Sequence, residues 1–244
     1  MKRTSAPTLN VFGQPVGPPV PDWTPRQRPA NTVMHGRTCR LEPFDSDRHL
    51  EPLFEAYAED DGRMWTYIPF GPFADAEARR KIIAETSERF QRFAIVSTAT
   101  GLPVGEASYM RHELECGSVE VGMVGFSPGL QRTTAATEAM YLMMRRGFEE
   151  AGFRRYEWKC DALNAPSRAA ALRLGFRFEG VFRQERVYKG RNRDTAWFSV
   201  LDSEWPALKR GFQAWLEPSN FDEAGRQRVR LGEMMAAAGV EAAP

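Results

Sequence analysis

The segment from Val119 to Gly175 constrains the fold of this chain more than any other part of the sequence. Residues 118–127 alternate well enough to form a half-buried strand. Pro128-Gly129 then signals a turn, and a helical pattern follows at once. The buried face of this helix is formed by Ala136, Met140, Met143, Gly147 and Ala151. The order therefore predicts a helix whose N-terminus lies at the end of a strand.

The turn that opens this helix is Gln131-Arg-Thr-Thr-Ala-Ala136. Such a turn points several unpaired backbone N–H groups at one spot, with the positive end of the helix dipole behind them. A spot of this kind binds anions, and a diphosphate is its usual occupant. The alternative is an ordinary helix capped by threonine, without a ligand.

Composition excludes several classes of protein. A length of 244 residues fits one large domain, or one domain with appendages. The net charge of +1 argues against a nucleic-acid or membrane surface. No stretch approaches the roughly 18 apolar residues of a membrane helix, and the N-terminus has no apolar run typical of a secretory signal. Three widely spaced cysteines favour a reducing compartment, so we expect a cytoplasmic protein.

Three regions are predicted along the chain: an N-terminal arm at residues 1–32, a folded domain at 33–216 and a C-terminal helical tail at 217–244. The arm holds seven of the 17 prolines, so it cannot form a helix. It is either a loose tail or an arm laid over the domain or a dimer partner and anchored by Trp23. The basic pairs Arg145-Arg146 and Arg154-Arg155 are interpreted as solvated faces.

Hydrophobic periodicity gives the order of the elements. Strands are predicted at residues 38–44, 93–97, 104–111, 118–127, 155–160, 176–182 and 195–200. Helices are predicted at residues 45–60, 74–90, from 136 onward, 164–175, 203–216 and 222–238. Residues 64–73 form an aromatic loop broken by proline.

Further motifs follow the turn. They are Thr137-Glu138-Ala139, then Asn164 and Ser167, then Gly175-Phe176. In this order and spacing they resemble the GNAT superfamily of acyl-CoA-dependent N-acyltransferases, and within it the branch of ribosomal-protein N-terminal acetyltransferases. The resemblance covers about residues 36–216. It implies an α/β (α+β) fold with a central mixed, mostly antiparallel sheet, splayed between strands 4 and 5 and flanked by helices.

One position departs from the family pattern. The family's phosphate loop is Gln/Arg-x-x-Gly-x-Gly/Ala, and Thr134 stands here in place of the first glycine. If the loop needs a positive φ at that position, threonine is strained there. The amide is still present, so we expect the cradle to survive with altered local geometry.

The resemblance implies acetyl-CoA as co-substrate and no metal, and relatives that take succinyl-CoA share the same cradle. Its diphosphate is expected on Gln131, Arg132, Thr133, Thr134, Ala135 and Ala136. Its pantetheine arm is expected in the strand gap, along Val124, Gly125 and Phe126, with Asn164 and Ser167 beside it. Gly122 and Gly125 suit a bulge or a close backbone approach, although glycines there can also simply relieve packing.

The sequence signals for catalytic groups are less specific than those for the coenzyme site. Glu120 and Glu106 are candidates for the base, with His112 as a further one, although each can equally be an exposed residue of a sheet face or strand end. Many family members carry a tyrosine acid where this chain has Ala171, which leaves Ser167 as the nearby substitute. The acceptor site is expected to be lined by Trp65, Tyr67, Phe70 and Tyr109.

Three functions are weighed. The first is acetyl transfer to a primary amine, on either a protein N-terminus or a small molecule, with a homodimer as a family habit. The second is a catalytically weakened acyl-CoA-binding sensor or scaffold, which Ala171 and Thr134 would favour. The third is nucleic-acid or partner binding through a helix containing Arg226–Arg230, which the near-zero net charge disfavours.

Overall fold

The computed structural model describes residues 8–240; residues 1–7 of the predicted arm and 241–244 of the predicted tail lie outside the described residues. The strands are β1 Thr8–Leu9, β2 Pro15–Val16, β3 Met34–His35, β4 Cys39–Pro43, β5 Phe90–Ser97, β6 Pro103–Glu113, β7 Ser118–Phe126, β8 Arg155–Asp161, β9 Arg177–Tyr188 and β10 Arg191–Leu201. The α-helices are α1 Ser46–Ala58, α2 Ala76–Glu85, α3 Thr134–Arg145, α4 Ala165–Arg173, α5 Trp205–Leu216 and α6 Leu231–Ala237. Within residues 8–240, no helix combines the length and the hydropathy that crossing a membrane requires.

Eight strands form one sheet in the spatial order β3-β4-β5-β6-β7-β8-β10-β9. Neighbouring strands are antiparallel except β7 and β8, which are parallel. The parallel pairing ends at Val121 opposite Trp158, although β7 continues to Phe126 and β8 to Asp161. The two strands therefore separate at their carboxyl ends. This confirms the mixed, mostly antiparallel sheet splayed between the fourth and fifth predicted strands.

The alternation of side chains along β6 defines the two faces of the sheet. Tyr109 points to the face covered by α3, where its hydroxyl donates a hydrogen bond to the Met143 carbonyl at 2.7 Å. Glu106 points to the opposite face, where it pairs with Arg79 of α2. The gap between β7 and β8 opens on this second face, together with α1 and α2.

A bulge bends β7 just before the gap. Met123 has a φ of 50°, and the register of β6 against β7 shifts between Glu106 and Ser108. The left-handed residue is thus Met123 rather than a glycine. Gly125 is needed for a close approach instead, because a Cβ there would lie 2.9 Å from the Tyr57 hydroxyl oxygen.

Two predicted helices are shorter in the structure. The helix predicted at 74–90 ends at Glu85, because the Thr86 hydroxyl bonds back to the Ile82 carbonyl and β5 begins at Phe90. The helix predicted at 222–238 is restricted to α6.

The segment before α6 is a turn, because the Asp222 side chain accepts hydrogen bonds from the backbone N–H groups of Ala224 and Arg226. The basic residues between Arg226 and Arg230 therefore form no helix, which removes the structural basis of the third function. α6 itself packs on α5, where Leu231 and Met235 are buried.

The described part of the N-terminal arm lies along the domain. The Trp23 indole N–H donates to the Glu115 carbonyl at 2.9 Å, and the Arg26 guanidinium stacks on the Trp23 ring. Further on, the buried Arg146 donates hydrogen bonds to the arm carbonyls of Ala30 and Thr32 and to the carbonyl of Val33, just after the arm. Arg146 is therefore buried and attaches the arm to the domain. This corrects the interpretation of the Arg145-Arg146 pair as a solvated face.

Candidate active site

A cleft of about 750 Å³ opens where β7 and β8 separate. It is bordered by the ends of both strands, by the start of α4 and by the aromatic loop, which we define as residues 63–73. Val124, Gly125 and Phe126 all line it. Because β7 has no partner on this side beyond Val121, its free edge can receive an extended ligand as an additional strand.

The turn before α3 is held by its own hydrogen bonds. The Ser127 carbonyl accepts from the backbone N–H groups of Leu130 and Gln131, at 3.0 and 3.1 Å. Thr133 is the N-cap of α3, and its hydroxyl oxygen accepts from the Ala136 N–H at 3.2 Å. The turn is therefore built before any ligand enters.

The residue that takes the strained backbone conformation is not the one that the motif suggests. Arg132 has a φ of 62°, whereas Thr134 is the first residue of α3. Threonine at the family's glycine position is therefore helical and unstrained, because the left-handed turn falls two residues earlier. The local geometry of the turn thus differs from the expectation of strain at Thr134: the left-handed residue is Arg132.

Part of the turn is free to bind. Within residues 8–240, the backbone N–H groups of Arg132, Thr134 and Ala135 donate to no protein acceptor. Those of Gln131, Thr133 and Ala136 are already used inside the turn. The three free amides lie at the positive end of the α3 dipole and beside the cleft, which is the arrangement of an anion site.

The start of α4 forms the opposite wall. The Asn164 side-chain oxygen caps the helix by accepting from the Ser167 N–H at 3.1 Å. The Trp158 indole N–H donates to the Ser167 hydroxyl oxygen at 3.0 Å. Because that bond occupies an acceptor site of the hydroxyl, the Ser167 proton remains available to a group in the cleft. Ala171 is fully buried one turn further on.

Glu120 is a buried carboxylate in the cleft wall. Its Oε2 atom lies 3.1 Å from the Lys159 ammonium and 3.5 Å from the Arg111 guanidinium. Burial raises the pKa of Glu120 above its ordinary value, although the Lys159 charge opposes the shift. Lys159 itself lies 3.6 Å from the centre of the Trp197 ring. A carboxylate with a raised pKa is suited to accept a proton.

Glu106 lies deeper, beneath the aromatic loop. Its Oε1 atom accepts from Arg79 at 2.9 Å, and the Arg79 guanidinium packs over the Tyr57 ring. The Tyr57 hydroxyl donates to the Gly125 carbonyl at 3.0 Å. The carboxylate of Glu106 is thus connected through α1 and α2 to the backbone of β7 at the cleft.

The aromatic loop spans the cleft and is fixed on its far side. The Tyr67 hydroxyl donates to the Leu163 carbonyl at 3.2 Å. From the β9–β10 hairpin, Lys189 donates to the Trp65 carbonyl at 2.7 Å and Arg191 donates to the Thr66 carbonyl at 3.1 Å. Tyr67 and Phe70 line the cleft, and Trp65 lies against a smaller cavity beside it.

Two candidates lie elsewhere. Tyr109 is fully buried on the α3 face of the sheet, so the expectation that it lines the acceptor site is corrected. The strand alternation that places Glu106 toward the cleft places Tyr109 away from it. His112 is not among the cleft-lining residues, and its pKa is lowered to about 4 by burial and by the nearby Arg28 charge.

Sequence reasoning missed Lys159, Arg79 and Tyr57. Lys159 could have been found, because the alternation of the predicted strand 155–160 places it on the same face as Glu157. Arg79 and Tyr57 sit on helices whose local patterns contain no signal for a buried ion pair. Only the packing of α1 and α2 on β6 brings them to Glu106.

Comparison with known proteins agrees with this geometry. A family model described as an acetyltransferase (GNAT) domain matches residues 39–177. The crystal structure of a GCN5-related N-acetyltransferase from Brucella melitensis is similar with a TM-score of 0.86 and 45% identity, and the match covers 89% of this chain and 100% of that one. The matched residues 39–177 contain both separating strands, the turn before α3 and the whole of α4.

Two more distant proteins that are similar to this chain are also named acetyltransferases. The uncharacterized N-acetyltransferase YnaD of Bacillus subtilis is 26% identical over 146 residues, which is 59% of this chain and 84% of YnaD. A ribosomal L7/L12 alpha-N-protein acetyltransferase in complex with coenzyme A is similar with a TM-score of 0.59 and 18% identity, covering 69% of this chain and 97% of that one. At that identity the second likeness concerns the fold alone.

Proposed function

The chain belongs to the GNAT acetyltransferase family, and on this premise we propose that it transfers an acetyl group from acetyl-CoA to a primary amine. The acceptor is either a protein N-terminus or a small-molecule amine. The observation that carries the proposal is the cluster of free amides of Arg132, Thr134 and Ala135 at a helix N-terminus that borders the cleft.

The residues present fit an acyl-CoA. The free amides suit its diphosphate, and the unpaired edge of β7 suits an extended pantetheine arm. The cleft volume of about 750 Å³ is within the range of sites that bury a ligand of this size. The same cradle also accommodates succinyl-CoA, so the acetyl group is the part of the proposal that rests on family membership.

When bound, the thioester supplies an activated carbonyl. The protein must then deliver an uncharged amine and move two protons. Glu120 is the proposed base, because its raised pKa favours proton uptake and its carboxylate lies in the cleft wall. Ser167 is the proposed donor toward the leaving sulfur, because Trp158 fixes its oxygen and leaves its proton free. Asn164 holds Ser167 in place as the cap of α4.

Glu106 remains a candidate base, but it is not among the residues that line the cleft, whereas Glu120 is, which favours Glu120 for this role. The cytoplasm is the proposed compartment, because Cys39, Cys116 and Cys160 are all free thiols.

The first test is thermal unfolding with acetyl-CoA, succinyl-CoA, free CoA and NADH. A ligand at 100 times its dissociation constant adds about 2.7 kcal/mol to the free energy of unfolding. We expect stabilisation by the CoA species, none by NADH, and a loss of the effect in Arg132→Glu, whose carboxylate repels the diphosphate. Arg230→Glu, at the residue just before α6 and outside the cleft lining, is the charge-matched control, and it should keep the effect.

Release of CoA in the presence of peptide and small-molecule amines separates the first two functions. Stabilisation by acetyl-CoA with turnover of at least one amine supports the transferase. Stabilisation without turnover of any amine would instead indicate the weakened acyl-CoA-binding module. The absence of stabilisation by every CoA species would overturn both.

A further inference from the structure

The Arg79–Glu106 ion pair leaves one donor and one acceptor unused. Arg79 Nη2 bonds to Glu106 Oε1, whereas Arg79 Nη1 and Glu106 Oε2 have no hydrogen-bond partner among the described residues, although both atoms are buried. The Arg79 side chain is only 3% exposed and that of Glu106 12%. Unsatisfied buried polar atoms of this kind are rare and call for a partner group.

A cavity of about 20 Å³ adjoins this pair. Apart from Arg92, its other walls are mainly apolar and include Trp65, Phe70, Phe73, Ile82 and Met123. A volume of this size holds one water-sized group. Because the pair presents one N–H and one carboxylate oxygen, the complementary group is one that both accepts and donates, which is a hydroxyl.

This cavity adjoins the cleft and shares wall residues with it. Met64, Phe70, Met123 and Gly125 line both spaces. Glu106 also lies directly opposite Gly125 in the β6–β7 pairing, within the distance of one cross-strand neighbour. A hydroxyl bonded to the Arg79–Glu106 pair would therefore lie only a few bonds from an amine that reacts beside Gly125.

We propose that the Arg79–Glu106 pair selects an amine acceptor that carries a hydroxyl group close to the amine, as in an N-terminal serine or threonine or in an amino alcohol. The inference rests on the proposed function, whose acceptor it specifies. Acceptors without the hydroxyl leave the donor and the acceptor of the pair buried and unpaired, and that is the physical origin of the discrimination.

The test compares matched acceptors that differ only at the hydroxyl. The pairs are peptides beginning with Thr or Val, peptides beginning with Ser or Ala, and ethanolamine against propylamine. We expect kcat/KM to favour the hydroxyl member by roughly 10- to 100-fold. The same order should appear in acceptor affinity measured by calorimetry with free CoA, where no transfer occurs.

The variant that tests the pair is Arg79→Met combined with Glu106→Leu. Replacing both partners of a buried ion pair by apolar groups is often neutral for stability, so this protein should fold. Because Glu106 is also a candidate base, the preference of this variant is measured as acceptor affinity with free CoA, and we expect it to fall to about one or to reverse. Arg80→Met with Asp47→Leu is the control, because this exposed ion pair also joins α1 to α2. The control should keep the preference.

The outcomes distinguish this inference from the proposed function. Acetyl transfer with equal rates for the matched acceptors, or a preference that survives in the Arg79→Met/Glu106→Leu protein, would overturn the hydroxyl selection and leave the transferase intact. In that case the cavity holds a structural water. A hydroxyl preference in affinity without any transfer would support the selection and overturn the transferase.

Discussion

At the scale of single residues, the two candidate bases lie in different electrostatic settings, Glu120 in the cleft wall and Glu106 in the small cavity beside it. Glu106 forms an ion pair with the guanidinium of Arg79. Glu120 lies beside Lys159, but Lys159 also pairs with Glu157 at 2.7 Å and so divides its charge between two carboxylates. Burial therefore dominates at Glu120, and its pKa is raised, whereas the pKa of Glu157 is lowered by its bonds to Arg155 and Lys159 despite partial burial.

This difference predicts the effect of removing each carboxylate. Glu120→Gln should lower kcat by roughly 10²- to 10⁴-fold, the usual contribution of a general base, without changing stabilisation by acetyl-CoA. In the wild-type protein a base must be ionised, so activity should fall as pH drops through the raised pKa of Glu120, at a pH above the ordinary glutamate value of 4.5. That acid limb should be missing in the variant.

Glu157→Gln is the matched control, because Glu157 shares Lys159 with Glu120 but is not among the residues that line the cleft. Its profile of kcat/KM against pH should keep the acid limb. An unchanged limb in Glu120→Gln would assign the proton transfer to another group.

At the scale of one element, α3 shows how a loop can keep its function while its motif changes. The free amides depend on where the chain turns, and here the left-handed residue is Arg132. An L-residue in that conformation costs roughly 1–2 kcal/mol relative to glycine. Thr134, by contrast, has joined the helix, where glycine is unfavourable.

Glycine should therefore have opposite effects at these two positions. Arg132→Gly should raise the free energy of unfolding by about 1 kcal/mol, because it relieves the strained backbone. Thr134→Gly, which restores the family motif, should lower it by a few tenths to about 1 kcal/mol. Urea unfolding of both variants measures the sign of each change in the free energy of unfolding. A stabilising Thr134→Gly would show that the strained position is 134.

At the scale of the whole molecule, the N-terminal arm is joined to the domain through Arg146. Its guanidinium satisfies the carbonyls of Ala30, Thr32 and Val33 from more than 100 residues away in sequence, and it also pairs with Glu150. Three backbone carbonyls that depend on one buried side chain make this residue a sensitive point of attachment. Whether two chains associate stays a prediction.

Arg146→Met should therefore loosen the arm. We expect a loss of roughly 2–4 kcal/mol in the free energy of unfolding, because several buried carbonyls lose their partner. Trypsin should also cleave faster after Arg26, which is followed by Gln27. Arg145→Met is the neighbouring control, since within residues 8–240 Arg145 packs over the Tyr141 ring and donates no hydrogen bond to the arm, and it should leave both quantities nearly unchanged.

The order of the elements, the turn that opens α3 and the cap at Asn164 could be predicted from the sequence, because each depends on a short local pattern. The family could be predicted from the order and spacing of the motifs between Gln131 and Phe176. Val124, Gly125 and Phe126 lie at the end of the predicted strand 118–127, and the family resemblance assigned them to the pantetheine arm. Helix ends were less well predicted, because single side chains such as Thr86 and Asp222 decide them through local hydrogen bonds.

Which side chains contact each other could not be predicted from the sequence and became known from the tertiary structure. The period of two along β6 could not say which face the cleft would use, so Tyr109 was placed in the acceptor site and is in the core. The Arg79–Glu106 contact joins residues 27 apart, and the hydrogen bonds of Arg146 to backbone carbonyls join residues 113 to 116 apart. Such contacts have no local signal, because they depend on how helices and arm pack on the finished sheet.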